Sequence, residues 1–160
     1  MTRHSEIARF VEAQAAGEYE RALAEIRAGH KRGHWIWYVF PQIEGLGTSH
    51  MSQAYAIRGR EEAEEYLHHP LLCQRLLDIA AAAADHLENG VAANALMGSS
   101  IDAAKLVSSM TLFGAVARAL PGDSRTPTTD AVAAVAETIL AAAAAQGHQR
   151  CDHTLRRLGR

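Results

Sequence analysis

Cysteine is scarce: Cys73 and Cys151 are the only two, far apart and in no C-x-x-C spacing, which excludes a disulfide framework and a zinc knuckle. An excess of one charge is also missing. Sixteen Lys and Arg against eighteen Asp and Glu leave a formal charge of −2, so no global field draws the chain to nucleic acid or to an anionic membrane. Long apolar runs are lacking too. IAAAA at 79–83 and ILAAAAA at 139–145 read as too short and too alanine-rich to span a bilayer, and MTRHSEIARF has no signal-peptide apolar region, which points to the cytoplasm. Catalytic and cofactor signatures are thin. GLGTS at 45–49 is not a dinucleotide fingerprint, because His50 stands where the third glycine belongs and no strand–turn–helix unit surrounds it. Among nine histidines His30 and His34 are four apart, but no third ligand has a telling position. Glu65 and His68 form a single Glu-x-x-His with no di-iron counterpart. No glycine-elbow serine and no Cys–His pairing stands out, so neither a metal nor a cofactor is expected.

What is present is helical periodicity. Apolar residues recur three and four apart at Ile7, Phe10, Val11, at Tyr19, Leu23, Ile26, and at Leu72, Leu76, Ile79, Ala80, Ala83. An all-α fold follows, with residues 1–160 as a single multihelical domain of a size that buries about two-thirds of its unfolded surface. Gly29, Gly59, Pro70, Gly90 and Gly98 punctuate the helices, and PGDSRTPTTD at 121–130 is the clearest loop. The segment after it has a small-residue face that needs a partner, so it should pack back on the same core. Only IWYV at 36–39 reads equally well as a short buried strand.

Two constellations could carry chemistry. GHWIWYVFPQ at 33–42 holds four of the nine aromatic residues, Trp35, Trp37, Tyr38 and Phe40, with His34 and Gln42 supplying polar edges beside the rings. Flat faces with hydrogen-bonding edges suit a nucleobase or a sugar, while a plain aromatic core explains the same residues without any ligand. Lys31 and Arg32 precede the motif and either serve an attached phosphate or are simply solvated. The second constellation is residues 101–120. Wound at about 100° per residue, Leu106, Phe113, Val116, Ala117 and Leu120 form one stripe, and Asp102, Lys105 and Ser109 fall on it as well. Asp102 and Lys105 should therefore pair or line a wet cavity, unless Asp102 is only a helix cap and Lys105 snorkels outward.

These residues carry a resemblance. Lys31, His34-Trp35-x-Trp37-x-x-Phe40-Pro41-Gln42, Gly45-Leu46-Gly47-x-Ser49, Tyr55-x-Ile57, the stretch from Glu62 to Leu71, and the run from Gly98 through Ile101, Asp102, Lys105, Ser108 and Ser109 to Phe113 are similar to the bacterial family known as domain of unknown function 1810. Some of its members carry a calpastatin label. The resemblance covers nearly everything from Arg9 to Leu158, with a departure in the tail, where the spacing from Cys151 and Asp152 to Thr154 and Leu155 is one residue short. It implies a multihelical fold and no particular reaction.

Two functional readings follow. In the first, His34, Trp35, Trp37, Gln42, Asp102, Lys105 and Ser109 form a pocket for a nucleotide-like or glycosidic compound, with the indoles stacking its planar part, Lys105 meeting an anion and Asp102 positioning or deprotonating. In the second, the chain is a non-enzymatic module that binds a protein through an exposed aromatic patch. Oligomeric state is not legible.

Overall fold

The computed structural model describes residues 3–159, with side chains from Glu6 onward, and within them the chain is all-α. The helices are α1 Arg3–Ala13, α2 Glu18–Arg27, α3 Ile36–Val39, α4 His50–Ala54, α5 Arg60–His68, α6 Pro70–Glu88, α7 Ala93–Met97, α8 Ser100–Ala119, α9 Pro127–Ala145 and α10 Asp152–Arg157. IWYV is one helical turn and not a strand. Extended pairing is confined to an isolated parallel bridge between Ile43 and Ile57, which ties the loop after α3 to the loop before α5.

Helix α8 is the axis of the molecule. The sequence stripe captures only part of its burial: Val107, Ser108, Met110, Thr111, Leu112 and Gly114 are buried along with Leu106, Phe113 and Val116. The reason is that α3, α5, α7, α9 and α10 all pack against it, leaving little of its middle to solvent. Gly114 permits the closest approach, since a methyl group there would lie 2.9 Å from the Ala136 Cβ of α9.

The 121–130 loop is shorter than its composition suggests. A 3-10 turn at Gly122–Ser124 leads into Thr126, whose hydroxyl accepts from the Thr129 N–H while Thr129 returns the bond to the Thr126 N–H, and Pro127 occupies the first turn of α9. By length and composition α9 is apolar enough to cross a membrane, which the short runs read singly did not indicate. Its Val132, Ala136, Ile139, Leu140 and Ala143 are buried, and it packs against α6 and α8.

Candidate functional site

The segment between α2 and α3 is shaped by Glu25. Its carboxylate accepts from the backbone N–H groups of Arg32 (2.8 Å) and Gly33 (2.9 Å) and from the Trp35 indole (2.8 Å). Burial alone would raise this carboxyl. The bonds from Gly33, Arg32 and Trp35, helped by the Lys31 charge, hold it below its ordinary range instead. Lys31 is fixed at both ends of its residue. Its N–H donates to the Leu96 carbonyl at 2.8 Å, and its ammonium donates to the Gly33 carbonyl at 2.5 Å. Gly98 makes room for this crossing: its φ is +85°, and a Cβ there would sit 3.0 Å from the Lys31 carbonyl oxygen.

This crossing brings Lys31 to the start of α8, where the two constellations meet. The Lys31 ammonium, on a residue 7% exposed, lies 2.7 Å from Asp102, and the Lys105 ammonium lies 3.8 Å from the other oxygen of the same carboxylate. Each cation also stands 5.0 Å from an indole centroid, Lys31 over Trp35 and Lys105 over Trp37. Asp102 does not cap the helix. Ser99 does, its hydroxyl accepting the Asp102 N–H at 3.1 Å, which leaves the Asp102 carboxylate in the first turn and free for both lysines.

Beside this ladder is a cavity of about 470 Å³ between the 42–52 segment and α8. Gln42, Thr48, Ser49, Ser52, Lys105, Ser108 and Cys151 supply its polar lining, with Leu46, Gly47 and Ala104 completing it. Among the described residues, Lys105 is the one charged residue in its lining. Ser49 and Ser52 bond to each other at 2.8 Å, and Ser108 meets Thr154 only at 3.5 Å. The base of the segment is clamped by α10, where His153 and Arg157 reach the Glu44 carbonyl at 2.9 and 3.1 Å. A hollow of about 20 Å³ shares Gln42, Leu46, Gly47 and Ser52 with the cavity and reaches Trp37 and Tyr55.

Of the seven residues singled out from sequence, Gln42 and Lys105 line the cavity and Asp102 stands behind Lys105. Trp37 borders the small hollow and not the cavity, its indole N–H buried without an acceptor among the described residues. Trp35 is sealed in the core at 1% exposure with its N–H given to Glu25, so it offers no face to a ligand there. His34 is on the surface and outside the cavity lining. Ser109 is fully buried, its hydroxyl without a partner among the described residues, one turn below Lys105. The solvated reading of Lys31 does not hold, since it is buried and paired; Arg32 is exposed. Sequence reasoning missed Glu25, Thr48, Ser52 and Cys151. No spacing signal marks them, because their roles come from loops meeting distant helices.

The exposed aromatic patch of an interaction module is absent among the described residues, where every aromatic side chain is buried or half-buried. A larger hollow of about 660 Å³ between α1 and the α5–α6 junction is lined by Ile7, Ala8, Val11 and Pro70 with Glu12, Glu65, His68 and His69, and contains none of the seven residues. No metal-holding group of His, Cys, Asp and Glu occurs among the described residues.

A family model described as "Protein of unknown function (DUF1810)" matches residues 4–125. Among solved structures, the chain is similar to the conserved hypothetical protein Rv1873 from Mycobacterium tuberculosis, at 33% identity over 97% of each chain and a TM-score of 0.73. No curated protein matches. The family match ends before α9, whereas the structural likeness runs through nearly the whole chain.

Proposed function

Starting from the premise that the chain belongs to the DUF1810 family, whose name carries no reaction, we propose that it binds a small, hydroxylated, sugar-like molecule in the cavity between the 42–52 segment and α8. The observation that carries this reading is the lining itself. A cavity in the size range of small-ligand sites presents an amide, hydroxyls, a thiol and one ammonium, and the Gln42 side chain makes no hydrogen bond to the described residues. Groups of this kind match the edges of a polyol.

A nucleotide fits less well, because stacking needs a free ring face. Trp35 has none, and Trp37 lies outside the lining with Lys105 set over its ring. Whether binding leads to a reaction is a separate matter: Asp102 is spent on two lysines, so its use as a base finds no support in this geometry.

A thermal-shift screen of sugars, sugar phosphates, sugar acids, nucleosides and nucleotides tests the proposal. Hydroxylated compounds without a base should raise the melting temperature, and Gln42→Ala should weaken that shift. A response confined to nucleosides and nucleotides, or none at all, would count against it.

A further inference from the structure

Lys31, Asp102 and Lys105 form an unequal triad, and the inequality has a chemical meaning. Lys31 takes the short contact with Asp102 at 2.7 Å and donates a second bond to Gly33, whereas Lys105 stands 3.8 Å from the carboxylate. None of the Lys105 N–H groups meets an acceptor within hydrogen-bond distance among the described residues. Two cations thus share the Asp102 carboxylate, but Lys31 also has the Glu25 charge nearby, whereas the ion pairing of Lys105, the lysine that lines the cavity, is limited among the described residues to the distant Asp102 oxygen. No carboxylate among the described residues lines that cavity to offset its charge.

Resting on the pocket proposed above, we infer that its ligand is an anionic polyol, carrying one phosphate or carboxylate that Lys105 receives, and that Lys31 is a positioning residue which keeps Asp102 from neutralising Lys105. Lys31 does this without reaching the cavity lining. Its competition for Asp102 is what leaves the Lys105 donors uncommitted. The hydroxyls of Thr48, Ser49 and Ser52 and the Gln42 amide then face the uncharged part of the same molecule.

The inference gives opposite signs for two neighbouring substitutions. Isothermal titration of the intact chain with glucose, glucose 6-phosphate and glucuronate measures the preference for anion over neutral sugar. In the unaltered protein that preference should be about tenfold or more, the scale of a hydrogen bond to a charged group, and Lys105→Met should bring it close to one. Lys31→Met should lower it several-fold, because Asp102 is then left wholly to Lys105. Asp102→Asn should raise it and steepen its dependence on salt, because Lys105 is then left without its carboxylate. Glucose 6-phosphate against glucuronate distinguishes phosphate from carboxylate as the recognised group. Circular dichroism of each variant checks its fold. Should Asp102→Asn prove unfolded, the Lys31→Met ratio decides alone.

An unchanged ratio in Lys31→Met, or a lowered one in folded Asp102→Asn, overturns the role of the triad. Equal binding of glucose and its phosphate overturns the anion while leaving the pocket standing, and no binding of any of the three overturns both.

Discussion

At the scale of single residues, carboxylates organise this protein. Glu25 gathers the 32–35 turn, and Glu62, 1% exposed, takes Arg9 at 3.0 and 3.2 Å together with the Arg58 N–H at 2.9 Å. Burial would raise Glu62 as well, and its bonds from Arg9 and Arg58 bring it below the ordinary carboxylate range. A carboxyl depressed in the folded state contributes stability above its unfolded value, near about 4.3, and that contribution is lost as pH falls through the lower folded value. Stability should therefore decline on the acid side, beginning at about pH 4–5 and continuing below it. Glu25→Gln should cost about 1–3 kcal/mol at neutral pH and flatten part of that acid limb, with Glu62 keeping the rest. Urea unfolding at neutral and acid pH, followed by tryptophan fluorescence, measures both effects, and an unchanged midpoint at neutral pH would show that Glu25 does not hold the turn. Cys73 is a contrast: burial pushes its thiol up to about 11, so the half-exposed Cys151 is the one expected to meet reagents first.

At the scale of elements, α8 is both the central strut and the back wall of the cavity. Its N-terminal half carries Asp102, Lys105 and Ser108, and Leu106, Met110 and Phe113 of the same helix enter the core. Leu106→Ala should cost roughly 2–5 kcal/mol, since neighbours on several sides of the helix cannot all close on the space left. Chemical denaturation would give the value. A loss well under 1 kcal/mol would mean that this part of α8 packs loosely.

At the scale of the whole molecule, one apolar cluster runs from Phe10 and Tyr19 through Trp35, Tyr66 and Leu76 to Phe113 and Ile139. A single core predicts a single cooperative transition. Tryptophan fluorescence reports only the 35–37 region, while far-ultraviolet circular dichroism reports all the helices, so the two unfolding curves should coincide. Separated curves would divide the chain into more than one folding unit. They would also place the seam, since both tryptophans lie on α3 or its N-cap, against α8.

The period of apolar residues determined the all-α class, because 3.6 residues per turn is a property of the backbone that any buried helix face must follow. That Asp102 and Lys105 lie within reach of each other was legible as one of several alternatives, being one turn apart on one helix, though the shorter Asp102 contact is with Lys31. IWYV could not be resolved, as four residues are too few for a period to show; in the folded chain it is a helical turn whose N-cap, Trp35, is held by Glu25. Nothing local announces that Lys31 lies against Asp102, 71 positions along the chain (102 minus 31), or that the loop after Phe40 would meet α8 across a cavity. Those arrangements depend on Gly98 letting one backbone cross another and on α10 clamping Glu44. A cavity is the space that elements distant in sequence leave between them, and only the packed molecule has it.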